Sequence, residues 1–190
     1  MLSSSTALNF LYSSTATIWI LFAVELGLVI YLSARIDKLS TGTATLLFYL
    51  YSMMNGVTLT PIFLVYTGAS IATTFAITAG TFGAMTLFGY LTRQDLSKFG
   101  SFLTMALLGL IVCLVVNMFM RSGMFSLLIS CAGVLIFVGL TAWDTQAIKR
   151  MCAGSDSSMT GKVATMGALT LYLDFINLFI YLLRFFGSRD

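Results

Sequence analysis

The chain has 190 residues, 58% of them hydrophobic and 9% charged, with a formal net charge of +3 and no histidine; its mean hydropathy is +0.97. A soluble domain carries roughly a quarter charged residues, so this composition has too little polar side chain to coat a globule in water, and the missing histidine removes the usual general base and the commonest metal ligand. The basic excess is small and dispersed, which excludes a nucleic-acid footprint and a polybasic lipid-binding tail.

A membrane-spanning helix needs about 20 mostly apolar residues. Residues 1–15 are too polar to form one, and no cationic region precedes a short apolar core there as in a cleavable signal. Six spans follow, at 16–34, 44–66, 68–90, 101–120, 124–147 and 163–186, with polar or glycine-bearing breaks between them. The expected fold is an all-α integral membrane protein, a helical bundle forming one transmembrane domain over 1–190. Span two carries Asn55, which needs a hydrogen-bond partner inside the bundle, and Pro61, which kinks or ends the helix. Gly80, Gly83 and Gly89 in span three and Gly133 and Gly139 in span five allow close helix packing, because lipid supplies no hydrophobic drive between helices. Cys113, Cys131 and Cys152 are too far apart for a CxxC motif and read as small buried hydrophobes.

Orientation follows from Lys and Arg on alternate sides. One side receives Arg35, Lys38, Arg93, Lys98, Lys149, Arg150 and Lys162; the other receives Arg121, Arg184 and Arg189. The richer side is expected to be cytoplasmic, which places both termini outside and Trp143 near the cytoplasmic interface.

An acid at the bilayer centre costs roughly 3 kcal/mol or more, so intramembrane acids are functional candidates by default. Asp174 lies twelve residues into the last span from Lys162, about 18 Å along the axis. It belongs to a stripe of polar or small residues at helical spacing: Gly167, Thr170, Asp174, Asn177, Tyr181 and Arg184. Such a stripe must face the bundle interior or a wet cavity; the plainer alternative is a protonated aspartic acid bonded into a rigid polar core. Glu25, ten residues before Arg35 and so about 15 Å deep, is by depth the natural neighbour of Asp174. Asp144, six residues before Arg150, is shallower and could equally be a helix-end acid. Two carboxylates in one poorly solvated site cannot both ionise cheaply and titrate as a unit. Ionised, they present the hard oxygens that calcium prefers, and Arg35 is a candidate latch competing for them, against the plainer role of interfacial anchor.

The run Leu140-Thr-Ala-Trp-Asp144-Thr-Gln-Ala-Ile-Lys149 and the run Gly167-Ala-Leu-Thr-Leu-Tyr-Leu-Asp174-Phe-Ile-Asn177-Leu-Phe resemble the two most recognisable segments of the Bax inhibitor-1 family, especially its bacterial branch. Phe63-Leu-Val-Tyr-Thr-Gly-Ala-Ser70, Gly89-Tyr-Leu-Thr-Arg-Gln-Asp-Leu96 and the closing Leu-Leu-Arg184-Phe-Phe-Gly are similar to that branch as well. The resemblance implies seven helices with the last one central, of which the first has no counterpart among the six spans here. It implies a pH-sensitive calcium leak channel with a paired-aspartate sensor at Asp144 and Asp174, and a recurring acid at Glu25. Eukaryotic relatives suppress cell death and lower stored calcium; some bacterial ones are thought to act on membrane proteases.

The expected function is a cation leak gated by protonation of intramembrane carboxylates, with calcium as permeant ion and as possible ligand of Asp144 and Asp174. The alternative is a non-transporting regulator that binds other membrane proteins, such as a membrane protease, through its glycine-lined faces. No enzyme activity and no cofactor are expected. The expected partners are the bilayer of the cell's inner membrane, calcium or another cation, and other membrane proteins, without nucleic acid.

Overall fold

The structure, a computed structural model, describes residues 15–155 and 157–188. The expectation that no span precedes residue 16 and the outer placement of Arg189 fall almost wholly outside them. The described chain is helical nearly throughout: α1 Thr15–Arg35 with a 3-10 turn Ile36–Lys38, α2 Thr41–Thr58, a short α3 Ile62–Val65, α4 Gly68–Leu91, α5 Ser97–Met120, α6 Gly123–Ala153 and α7 Ser157–Phe186. Thr41–Val65, α4, α5, α6 and Met159–Phe186 are each long and apolar enough to cross a membrane. α1 has 21 residues, about 30 Å of helix. Five of the six expected spans coincide with a single helix, the second, 44–66, is broken between α2 and α3, and the protein is an all-α membrane protein.

Local sequence explains where these helices start and stop. The side chains of Ser40, Thr67 and Ser122 cap α2, α4 and α6 by accepting from the backbone N–H of Thr43, Ser70 and Phe125. Each satisfies a donor that a helix start leaves unpaired. Pro61 ends α2 rather than merely bending it: the helix stops at Thr58, three residues earlier, since proline lacks the N–H and disfavours helix in the residue before it. α5 closes on Arg121, in the left-handed region at φ 49°. Within the spans, Thr78, Thr104, Ser130, Thr141, Thr145 and Thr170 donate to backbone carbonyls one turn back. That bond satisfies a hydroxyl where no water is at hand.

The chain divides into two compact units, one ending at Ile62 and one beginning at Phe63. In the first, α1 packs along α2, with Glu25, Leu32, Ala44 and Tyr51 buried. In the second, α6 packs against α4, α5 and α7, and α4 also packs against α7. Its core joins Leu103 and Leu110 of α5, Ile129, Ile136, Phe137 and Leu140 of α6, and Leu178, Tyr181 and Leu182 of α7. The most heavily buried span is the last, α7, while α6 is the helix that touches all three others.

Candidate functional site

Helix α6 has two working faces. At about 100° per residue, Phe137, Thr141, Asp144 and Ile148 fall on one side and Ala142, Gln146 and Lys149 on the other. The first side meets α7. A Cβ on Gly167 would come within 2.8 Å of the Ile148 side chain, and one on Gly133 within 2.7 Å of the Tyr181 ring; Tyr181 stacks on Phe137 with ring centroids 5.8 Å apart. These glycines let the two helices approach closely and set their register.

In that register Asp144 and Asp174 meet, with their side chains close enough to interact. Asp144 is half-buried and Asp174 is 4% exposed, with its Oδ2 buried and without a hydrogen-bond partner. An ionised carboxylate only accepts, so a bond between two of them requires a proton on one. Counted from Arg150 and Lys162, the two acids differ in depth by six residues, about 9 Å. The Gly167–Ile148 contact resolves this. It sets Lys162 level with Ala153, beyond Arg150, which roughly halves the difference to a span that side chains can cover. On its far side α7 is held by α4, through Phe75 and Phe82 against Phe175 at 5.5 and 5.4 Å and Phe75 against Phe179 at 6.2 Å.

The rest of the polar stripe is satisfied locally. Thr170 donates to the Met166 carbonyl and Asn177 to that of Leu173, at 3.1 and 2.8 Å. Tyr181 is buried, with the Arg184 guanidinium 5.8 Å from its ring centre. The stripe therefore faces the bundle interior, but its members beside Asp174 bond their own helix. Glu25 finds its described partners within the first unit. The Thr58 hydroxyl donates to its Oε1, and the Asn55 amide donates to its Oε2 at 3.5 Å. Asn55 thereby has the partner its position requires. Arg35 ends α1 and is exposed.

The second side of α6 carries a network that spacing alone did not reveal. Gln146 accepts from the Leu96 N–H at 2.9 Å and donates to the Gln94 carbonyl at 2.8 Å. Arg150 donates to Gln146 Oε1 at 2.6 Å, to Asp95 at 2.8 Å and to the Ser97 hydroxyl at 2.9 Å. Lys149 donates to the Tyr90 carbonyl at 2.6 Å, closing one of the carbonyls that the end of α4 leaves free, and its ammonium lies 4.4 Å from the Tyr90 ring centre. Asp95 sits in the exposed α4–α5 connection. Hydrogen bonds from the Ser97 hydroxyl and N–H, and from Arg150, hold its carboxyl well below the usual carboxylate range. Arg150–Asp95 is the one ion pair among the described residues. The signal in the sequence was a glutamine and two cations at the end of a span, which orientation counting uses only as charges. Trp143, near the end of its span, packs over Gly100 in the first turn of α5, where a Cβ would fall 2.1 Å from its indole.

The model of the family described as "Inhibitor of apoptosis-promoting Bax1" matches residues 1–190. The chain is 50% identical over 190 residues to the inner membrane protein YbhL of Escherichia coli (strain K12), covering 98% of this chain and 81% of that one. It is 48% identical over 181 residues to an uncharacterized protein of Borreliella burgdorferi, covering 94% and 78%. It is 41% identical over 167 residues to an uncharacterized membrane protein of Streptococcus pyogenes serotype M1, covering 88% and 72%. With its long apolar helices and these matches across its length, the chain is a multi-pass membrane protein that belongs to the Bax inhibitor-1 family.

Proposed function

We propose that this protein is a pH-sensitive cation leak channel, with calcium as its substrate ion and no chemical reaction or cofactor, and that it sits in an inner membrane, the one property that the name of its Escherichia coli relative records. The observation that carries this reading is the pairing of Asp144 with Asp174 inside two membrane spans, where the two acids are close enough to share a proton in a hydrogen bond. The proton in that bond holds two acids together; without it, two anions face each other where solvation is poor. Protonation thus couples the charge of the site to the spacing of α6 and α7. In the ionised state the pair offers calcium carboxylate oxygens. No third acid or cysteine joins them among the described residues, whereas calcium takes six to eight oxygens, roughly, so the pair is a transit point at which water completes the shell. Within the first unit, Glu25 with Asn55 and Thr58 is a further buried carboxylate able to take a cation, and Arg35 is the latch proposed to compete with an ion for carboxylate oxygens. The lysine- and arginine-rich ends of the spans face the cytoplasm, and both termini lie outside.

The test is calcium flux through purified protein in liposomes across about pH 6 to 8, wild type beside Asp144→Asn and Asp174→Asn. The expected result is a leak that changes several-fold with pH in the wild type and loses that dependence in either variant. Leak no greater than that of empty liposomes overturns the channel reading.

A second reading, a non-transporting regulator that docks on another membrane protein such as a protease, draws support from Gly80 and Gly83. A Cβ on either meets nothing within 4 Å, which leaves that face of α4 open to a close helix–helix contact. It is distinguished by partner binding that Asp174→Asn leaves unchanged.

A further inference from the structure

We infer that Gln146 is a positioning residue that sets the contact between Asp144 and Asp174, acting on α6 from the face opposite the pair. Gln146 follows Asp144 by two residues and lies about 200° around the helix from it. It is 6% exposed, and its amide is engaged on both sides, accepting from Leu96 N–H and Arg150 and donating to the Gln94 carbonyl. The partners Gln94 and Leu96 are backbone groups of the short connection between α4 and α5, so a single side chain bolts α6 to the corner where those helices join.

Lys149 and Arg150 also bond this corner, at the Tyr90 carbonyl, Asp95 and Ser97, but through long, flexible side chains in exposed positions; the remaining contacts are steric. The Ala142 carbonyl lies 2.2 Å from where a Cβ of Gly89 would stand, and Trp143 covers Gly100. Such steric contacts limit approach but allow sliding. The α6–α7 interface is likewise lined by glycine, aliphatic and ring surfaces at Gly133–Tyr181 and Gly167–Ile148. A pair of directional bonds from one amide fixes both rotation and axial position. A slip of one residue would turn Asp144 by about 100° and move it about 1.5 Å, enough to break its pairing with Asp174. The charged groups around the segment are Asp174 of α7, Asp95 of the connection, and Lys149 and Arg150 of α6 itself; α4 contributes the Tyr90 carbonyl and ring.

The inference deepens the channel reading and rests on it only for flux. The first measurement is the infrared C=O stretch of the protonated carboxyl in the full chain in liposomes, assigned by its loss in Asp174→Asn. Gln146→Met keeps the length of the side chain and removes both kinds of bond. The expected result is a shift of the band to the position of a free carboxyl, with helix content retained by circular dichroism. Gln146→Glu keeps an acceptor for Leu96 and Arg150 and is expected to retain most of the hydrogen-bonded band. If Gln146→Met does not fold, Gln146→Asn, one methylene too short to reach the corner, is expected to shift the band in the same direction. An unshifted band in the folded variant overturns the inference, whatever happens to thermal stability. Flux is then measured on the same samples. A wild type that leaks nothing overturns the channel while leaving the band to decide the role of Gln146, so the two failures are separable.

Discussion

Gly80, Gly83 and Gly89 read as packing glycines in the sequence, and Gly100 lies just before the fourth span; their surroundings divide the four. A Cβ on Gly89 would strike the backbone of Ala142, and one on Gly100 the indole of Trp143, whereas Gly80 and Gly83 have open space. Gly89→Ala and Gly100→Ala are expected to destabilise the protein by about 1–3 kcal/mol through overpacking. Gly89→Ala stands at the upper end because a helix backbone cannot turn aside as a side chain can. Gly80→Ala and Gly83→Ala are expected to be neutral or to gain up to about 1 kcal/mol from helix propensity. Thermal unfolding of the purified protein in detergent orders the four. The same distinction applies to the acids. Their depth in the spans was legible, because position along a helix is a local property; that Asp144 meets Asp174 depends on which faces touch.

The α4–α5 connection and the end of α6 act as a joint, and the ion pair Asp95–Arg150 is its exposed part, with side chains 68% and 49% accessible. Solvent screening keeps such a pair weak, but its sign is testable. The folded carboxyl of Asp95 titrates below its ordinary value of 3.8, so its stabilising contribution is present in full above that pH and is lost as pH falls through the folded value. Asp95→Asn is therefore expected to melt slightly below wild type at pH 7, and the gap is expected to close as the pH drops below about 4. A gap that stays constant into acid would remove Asp95 from the joint. Little of this joint was visible beforehand. Residues 92–96 and 146–150 lie some fifty positions apart, and a glutamine amide shows no periodicity that would mark it as a bolt.

Across the whole protein, the distribution of basic residues governs insertion. Ser97, beside the joint, and Ser122, at the start of α6, fall at opposite ends of α5. In a background with Cys113, Cys131 and Cys152 replaced, Ser97→Cys is expected to react with a membrane-impermeant thiol reagent only in inverted vesicles, and Ser122→Cys only from outside. The opposite pattern would reverse the topology and place both termini in the cytoplasm.

Hydropathy and punctuation are local, and so composition and spacing already determine six apolar spans, an interruption at Pro61, the polar face of the last helix and the depth of each acid. Register between helices is not local. It depends on where Gly133 and Gly167 admit Tyr181 and Ile148, contacts between residues far apart in the chain. Only the packed structure brings Lys162 level with Ala153, joins Asp144 to Asp174, gives Glu25 the hydroxyl of Thr58 and turns Gln146 toward the α4–α5 corner. In a lipid-like interior, apolar surface lets helices slide at little cost, so the alignment is decided by a few small residues and directional hydrogen bonds whose partners meet only on folding.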